Sequence, residues 1–127
     1  MAKLVVIDDD KDTCAYLKEF FEQRKCIVVT ANSGIEGLAI IKEEKPDIVL
    51  LDVKMEGMNG LETLKKIKRF DPTMKVIMVT VASDQATRQK AAELGADDFI
   101  KKPLNTEYLE GTVSLKVSKL SQERRKS

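Results

Sequence analysis

The chain has 127 residues, 43% of them hydrophobic and 34% charged, which is a composition typical of one globular domain. Lysine and arginine number 22 and aspartate and glutamate 21, so the net charge of +1 gives no indication of a nucleic-acid-binding surface. No apolar run is long enough for a transmembrane helix or a signal peptide. Cys14 and Cys26 lack the spacing of a zinc site, so we expect free thiols in a cytoplasmic protein, although two cysteines also allow a disulfide.

Short runs rich in valine and isoleucine predict five β-strands, which alternate with stretches of helical periodicity. The predicted strands lie near residues 3–8, 26–30, 47–52, 75–80 and 98–101. Such alternation indicates βαβ units around a parallel sheet whose strands are buried on both faces. The sequence therefore predicts a single α/β domain of the (βα)5 type.

Capping residues mark the ends of the predicted helices. Ser33 and Glu36 form an S-x-x-E capping box at the start of the second helix. Ser83 and Asn105 are expected to cap the fourth and fifth helices, and Gly95 to provide a left-handed stop after the fourth. Apolar residues at helical spacing predict the buried faces of the first, second and fifth helices: Leu17, Phe20 and Phe21; Leu38 and Ile41; and Leu109, Val113, Val117 and Leu120. Leu61, Leu64 and Ile67 mark the third helix, and the fourth carries Ala91, Ala92 and Leu94.

Polar residues suited to phosphoryl chemistry follow four of the predicted strands. Asp8-Asp9-Asp10 follows the first strand and Asp52 ends the third, while Thr80 ends the fourth and Lys102 follows the fifth. Open parallel sheets bind their ligands at the carboxyl ends of the strands. We therefore expect these side chains to meet in one crevice.

These features together make the chain resemble the receiver domain of two-component response regulators from residue 3 to about residue 121. The other features that carry the resemblance are the segment Met55-Glu56-Gly57-Met58-Asn59-Gly60, Phe99, and Lys102-Pro103. The resemblance implies a flavodoxin-like, doubly wound parallel sheet of five strands in the order 2-1-3-4-5. It also implies a receiver domain over residues 1–121 and a basic tail over residues 122–127, which we expect to be solvated and frayed.

The resemblance gives Asp52 the role of phosphoacceptor. A carboxylate is a competent nucleophile toward phosphorus and forms an acyl phosphate. Asp8 and Asp9 resemble the family's metal-binding pair, and carboxylates this close repel one another unless a cation lies among them. Mg²⁺ is the expected cofactor because it takes few protein ligands and uses phosphate oxygens. The family pattern implies that the side chains of Asp9 and Asp52 and the backbone carbonyl of Lys54 bind the metal. Asp8 would act largely through water, and Asp10 would cap the first helix.

The resemblance also assigns roles around the acceptor. Lys102 should pair with Asp52 at rest and with a phosphoryl oxygen after transfer, and the family places a cis peptide bond before Pro103. Thr80 should offer its hydroxyl to the new phosphoryl group, while the ring of Phe99 turns inward behind it.

Three further residues lie next to the predicted site residues in the sequence. Lys101 should point to the opposite face of its strand from Lys102. Glu56 stands where the family most often has proline, which predicts a less rigid and more charged loop. Val81 stands where a small residue is usual and could narrow the access to Asp52, so both departures bear on the rate of phosphotransfer.

The expected partner is a sensor histidine kinase or a histidine phosphotransfer protein, because the chain contains no histidine that could donate the phosphoryl group. The domain would catalyse its own Mg²⁺-dependent phosphorylation and dephosphorylation and would not be a conventional enzyme. No output domain follows the fifth predicted helix in this sequence, so we expect signalling through contact with an unknown protein target. The family's usual contact face comprises the fourth helix, the fifth strand and the fifth helix.

Three alternatives remain. A haloacid-dehalogenase-like phosphatase would use the D-x-D of Asp8-Asp9-Asp10 with Asp97-Asp98, but it leaves Asp52 without a role. A flavodoxin-type cofactor binder needs a phosphate-cradling loop after the first strand, where the aspartates would repel phosphate. A degenerate receiver serving only as a scaffold would not need the complete set of site residues.

Overall fold

The computed structural model describes residues 2–81 and 85–126, which form a parallel sheet covered by helices on both faces. The elements in chain order are β1 (Lys3–Ile7), α1 (Lys11–Glu22), β2 (Ile27–Ala31), α2 (Gly34–Glu44), β3 (Ile48–Asp52), α3 (Gly60–Phe70), β4 (Lys75–Thr80), α4 (Gln85–Glu93) and β5 (Asp98–Lys101). The last helix has three parts: α5 (Thr106–Tyr108), a π-helical segment (Leu109–Val113) and α6 (Ser114–Lys126).

The strand order confirms the predicted doubly wound topology. The sheet has five strands in the order β2-β1-β3-β4-β5, and every pair is parallel. In the register between β1 and β3, Ile7 pairs with Leu51, and in the next pair Asp52 lies beside Val79. The carboxyl ends of β1 and β3 are therefore neighbours, which is the place where a ligand site is expected in such a sheet.

Each strand contributes alternate residues to two hydrophobic cores, as a pleated strand must. Leu4 and Val6 of β1 pack with α1 and the last helix, whereas Val5 and Ile7 pack with α2 and α3. Burial on both faces explains why the strands consist of nearly continuous apolar runs. The sheet is thus fixed from both sides, and its polar residues are left at the strand ends.

Most of the predicted helix caps are present. The Ser33 side chain accepts a hydrogen bond from the Glu36 amide, but the Glu36 carboxylate accepts from the Asn32 amide and not from Ser33, so only half of the capping box forms. Asn105 caps the last helix, and Gly95 has a φ of +99° after α4. The predicted cap Ser83 lies outside the described residues.

The two adjacent alanines of α4 differ in burial. Ala91 is fully buried in α4, but Ala92 is exposed. Successive residues of an α-helix are rotated by about 100°, and this rotation carries Ala92 away from the side of α4 on which Ala91 is buried. Leu38 and Leu61 are only partly buried, although both pack against the core between α2 and α3.

The expectation of a frayed basic tail is also wrong for the residues described. The last helix continues to Lys126, where Arg124 pairs with Asp71 at 2.8 Å and Arg125 pairs with Asp47 at 3.1 Å. These aspartates lie in loops that precede β4 and β3, and their charges hold the arginines against the domain. The boundary of the receiver domain at residue 121 stays a prediction.

Gly60 provides a direct test of how α3 is seated. A Cβ at Gly60 would overlap the Asp52 carbonyl oxygen and lie 2.7 Å from the Val53 Cα. Gly60→Ala should therefore lower the free energy of unfolding by about 1–3 kcal/mol or more, as overpacking against backbone does. Urea denaturation measures the change. The matched control is Gly111→Ala, whose Cβ meets nothing within 4 Å and which should be neutral or slightly stabilising. Equal stability of the two variants would contradict this packing.

Candidate functional site

Three aspartates meet at the carboxyl edge of the sheet. Asp8 follows β1 and is 2% exposed, Asp52 ends β3 and is 7% exposed, and Asp9 is exposed. Each of the three offers a carboxylate oxygen, and these oxygens lie within 4.8 Å of one another. The structure thus brings Asp52 close to Asp8 and Asp9, which are far from it in the sequence.

Hydrogen bonds fix Asp8 between the end of β1 and the start of α1. Its amide donates to the Ala31 carbonyl oxygen at 3.0 Å, which continues the β1–β2 ladder by one residue. Its Oδ1 accepts a hydrogen bond from the Asp10 amide at 2.9 Å. The Asp10 side chain in turn accepts from the Asp12 amide, so Asp10 caps α1 as predicted.

The loop after β3 folds back onto Asp52. The Val53 amide donates to the Val79 carbonyl oxygen at 3.1 Å, and the Gly60 amide donates to the Val53 carbonyl oxygen at 2.8 Å. Asn59 caps α3 by accepting from the Glu62 amide. This tight return leaves the Asp52 side chain at the edge of the sheet, facing the acidic pair.

The ammonium of Lys102 joins the two buried carboxylates. Its Nζ lies 2.9 Å from Asp8 Oδ2 and 3.7 Å from Asp52 Oδ2. The sequence predicted a pair with Asp52 at rest, but the shorter contact and the hydrogen bond are with Asp8. The Lys102–Pro103 peptide bond is cis, as predicted, and the Lys102 amide donates to the Thr80 carbonyl oxygen at 2.8 Å. Lys101 is exposed.

Burial and the charge of Asp8 disfavour the ionised form of Asp52. Burial, and then the nearby charge of Asp8, raise the pKa of Asp52 to about 6, although Lys102 opposes the change. Burial also disfavours the charged form of Lys102, but its hydrogen bond to Asp8 and the charges of Asp52 and Asp8 raise the pKa of its ammonium. Lys102 therefore stays charged while Asp52 is poised to titrate.

The donor set fits a small, hard divalent cation. All three side chains offer carboxylate oxygens, which are the ligands that Mg²⁺ and Ca²⁺ take in proteins. An open groove of about 460 Å³ lies beside Asp9, and its walls include Lys54, Glu56 and Asn59. The groove leaves room for the water molecules that Mg²⁺ usually keeps.

The remaining predicted residues surround this edge. Thr80 ends β4 and is 4% exposed, while Val81 is 60% exposed and lines a second groove of about 520 Å³ together with Lys102. Phe99 is half-buried, and the Arg88 guanidinium lies 5.1 Å from the centre of its ring. The Glu56 amide donates to Asp9 Oδ2 at 3.2 Å. Val81 and Glu56 therefore both border the site.

Two contacts with Asp8 were missed by the sequence analysis. The Asn32 side-chain amide and the Cys14 thiol both donate to the Asp8 carbonyl oxygen. No motif marks either residue, because both contacts depend on the way β2 and α1 lie against the end of β1. The search for polar residues at strand ends could have found Asn32, which directly follows β2, but not Cys14.

The family model of the response regulator receiver domain matches residues 4–114 of the chain. The chain belongs to this family. It is 33% identical to sporulation initiation phosphotransferase F of Bacillus subtilis over 111 residues, which cover 87% of this chain and 90% of that protein. It is 37% identical to the transcriptional regulatory protein CpxR of Klebsiella pneumoniae over 109 residues, which cover 86% of this chain.

Solved structures agree with this assignment. A receiver domain protein from Clostridium thermocellum has a TM-score of 0.89 at 30% identity, with 98% of both chains covered. A CheY-like receiver domain protein from Methanospirillum hungatei has a TM-score of 0.87 at 31% identity, with 97% of this chain and 98% of that chain covered. This receiver domain is thus a phosphoacceptor module of two-component signalling.

The receiver domain spans only part of some relatives. It covers 46% of CpxR and 25% of the transcriptional regulatory protein ZraR of Klebsiella oxytoca, to which it is 37% identical over 111 residues. Over residues 2–81 and 85–126, none of the helices has the length and apolar character that a membrane span requires.

The raised pKa of Asp52 predicts a specific dependence of stability on pH. The folded state holds the Asp52 proton up to about pH 6, whereas the unfolded chain releases it near 3.8. Without metal, the free energy of unfolding therefore falls progressively as the pH rises from about 4 to about 6, because the folded state must then release the Asp52 proton that the unfolded chain has already lost. Asp52→Asn has no carboxyl group to titrate at this position. The free energy of unfolding of the variant minus that of the wild type should therefore be about 1–2 kcal/mol larger at pH 7.5 than at pH 5. Urea denaturation in metal-free buffer at both pH values measures the difference. A difference independent of pH would contradict the raised pKa.

Proposed function

We propose that Asp52 accepts a phosphoryl group from the phosphohistidine of a partner kinase or phosphotransfer protein, with Mg²⁺ bound at the acidic edge. The observation that carries this proposal is the cluster of Asp8, Asp9 and Asp52 with the Lys102 ammonium against it. Phosphorylation then alters the contacts of the domain with a protein target. The proposal thus assigns the phosphoacceptor function of a receiver domain to specific residues of this chain.

Asp52 is the nucleophile in this proposal. Its carboxylate lies at a strand end where the loop folds back and leaves the side chain facing the crevice. A carboxylate oxygen attacks phosphorus as the bond between phosphorus and the donor nitrogen breaks, and an acyl phosphate results. The attack needs the ionised carboxylate, and the Lys102 charge favours that form of Asp52.

Asp8, Asp9 and Asp52 would hold Mg²⁺, with the Lys54 carbonyl as a further ligand and Asp8 acting largely through water. The support is the set of three carboxylate oxygens within 4.8 Å. When bound, Mg²⁺ supplies positive charge that relieves the repulsion among the carboxylates and stabilises the charge of the transferring phosphoryl group. Glu56 holds Asp9 through its amide and adds a negative charge at the rim of the same groove.

Lys102 and Thr80 would bind the phosphoryl group after transfer. The Lys102 ammonium already lies within 4 Å of Asp52 and needs only to exchange its carboxylate partner for a phosphoryl oxygen. Thr80 stands at the neighbouring strand end and offers a hydroxyl. Movement of Thr80 toward the phosphoryl group would let Phe99 turn inward, and the face formed by α4, β5 and the last helix would change its contacts.

The proposal also covers dephosphorylation and the cellular location of the protein. The same Mg²⁺ site and Lys102 would serve hydrolysis of the acyl phosphate by water, at a rate that Glu56 and Val81 adjust. Val81 is exposed and lines the same groove as Lys102, where it would narrow the access to Asp52. We place the domain in the cytoplasm, where it would meet its kinase.

The phosphatase alternative meets a geometric objection. Asp97, which would have to act beside Asp8, precedes β5 and accepts a hydrogen bond from the Val76 amide at the start of β4. It also pairs with Lys68 at 3.1 Å. In a parallel sheet the starts of the strands lie at the edge opposite to their ends, so Asp97 and Asp8 occupy opposite edges.

Phosphorylation by a small donor tests the proposal. Incubation with acetyl phosphate and Mg²⁺ should add the mass of one phosphoryl group to the intact protein, and Asp52→Asn should abolish the addition because the nucleophile is lost. Intact-mass spectrometry measures both. Asp10→Asn is the matched control, because it removes a neighbouring carboxylate but keeps a good helix cap, and it should be phosphorylated normally. Undiminished labelling of Asp52→Asn would exclude Asp52 as the acceptor.

A second prediction concerns Lys102. Lys102→Met removes the ammonium that is aimed at the acceptor, so the rate of phosphorylation should fall by about a hundredfold, as expected when one electrostatic contact of a transition state is lost. The rate is measured by mass spectrometry over time. Lys101→Met removes the exposed neighbouring charge and should leave the rate nearly unchanged. Equal rates for the two variants would show that Lys102 has no specific role.

A further inference from the structure

The main-chain carbonyl of Asp8 is held by two side chains outside the proposed site. The Asn32 Nδ2 atom donates to the Asp8 carbonyl oxygen at 3.1 Å, and the Cys14 thiol donates to the same oxygen at 3.3 Å. The two donors also contact each other, since Asn32 Nδ2 lies 3.6 Å from Cys14 Sγ. This carbonyl therefore has two donors, one from the β2–α2 junction and one from α1.

The position of this carbonyl matters because it belongs to the peptide bond between Asp8 and Asp9. A peptide unit is planar, so a hydrogen bond that fixes the carbonyl also fixes the orientation of the following amide and Cα. The direction in which both carboxylates leave the chain depends on this one plane. Asp8 also gains its contacts with the Asp10 amide and with Lys102 only when its side chain leaves in the observed direction.

Asn32 is the stronger and better anchored of the two donors. An amide donates a stronger hydrogen bond than a thiol does. The backbone of Asn32 is itself fixed, because its amide donates to the Glu36 carboxylate at 3.2 Å. The Cys14 thiol is buried and is the more distant donor, at 3.3 Å.

We propose that Asn32 is a positioning residue: by holding the Asp8–Asp9 peptide, its side-chain amide sets the two carboxylates in the arrangement that binds Mg²⁺. This inference rests on the proposed Mg²⁺ site. It adds the β2–α2 junction, which carries none of the residues expected at the site, to the segments that build the site. Groups that orient metal ligands affect metal affinity by about 10–100-fold in known sites.

The test compares Asn32→Ala with Ser33→Ala. The first variant removes the donor to Asp8 but keeps the backbone amide that bonds Glu36. The second removes the cap of α2 in the same turn, at a cost of about 1 kcal/mol, and has no contact with Asp8. Isothermal titration calorimetry of the folded proteins should show that Asn32→Ala binds Mg²⁺ at least about tenfold more weakly than the wild type. Ser33→Ala should bind it as the wild type does.

A second readout needs no metal. In Asn32→Ala the Asp10 amide should exchange its hydrogen faster, because its acceptor on Asp8 is no longer held. In Ser33→Ala the Glu36 amide should exchange faster instead. If Asn32→Ala does not fold, Asn32→Ser replaces it, since its shorter side chain cannot reach the Asp8 carbonyl oxygen and the same results are expected.

The outcomes separate this inference from the proposed function. Equal Mg²⁺ affinities of Asn32→Ala and Ser33→Ala, with normal binding by the wild type, would overturn the role of Asn32 alone. Unchanged exchange of the Asp10 amide in Asn32→Ala would also overturn it. Absence of Mg²⁺ binding by the wild type, or undiminished binding by Asp9→Asn, would instead overturn the proposed metal site.

Discussion

The crowding of carboxylates at the end of the sheet is the constraint on which the rest of this structure depends. Asp8 and Asp52 are both nearly buried, and the charge of Asp8 adds to the effect of burial in raising the pKa of Asp52 to about 6. Charged groups lose hydration when they are buried, so such an arrangement persists only with compensating partners. Lys102 is one such partner, and an Mg²⁺ ion would be the other. A cation bound among these carboxylates would favour the ionised form of Asp52.

Backbone contacts of the fold position this cluster of carboxylates. The order β2-β1-β3 makes the ends of β1 and β3 neighbours, and Gly60 lets α3 begin directly against the Asp52 carbonyl. The Lys102 amide donates to the Thr80 carbonyl oxygen, which fixes the backbone of Lys102 beside the same edge. Each of these features acts on main-chain atoms, which explains how a few short loops can hold charged side chains so close together.

The sequence predicted the strands, the strand order through the resemblance, and the three aspartates and the lysine that meet at the edge. These are local or family-wide features, since strand ends and capping residues can be read from the residues themselves. Contacts between distant segments could not be predicted. The hydrogen bond of Lys102 with Asp8 in preference to Asp52, and the donation from Asn32 to the Asp8 carbonyl, depend on distances that only packing sets. The pairing of Arg124 with Asp71 is another case, because 53 residues separate the two.

The central claim is that a cation offsets the burial and the nearby charge of Asp8, which together raise the pKa of Asp52. The most direct measurement is the titration of the Asp52 carboxyl carbon by NMR, in metal-free buffer and again with saturating Mg²⁺. The account predicts a midpoint at about pH 6 without metal and a clearly lower midpoint with Mg²⁺, because a nearby cation favours the ionised form. The same midpoint in both conditions would contradict it.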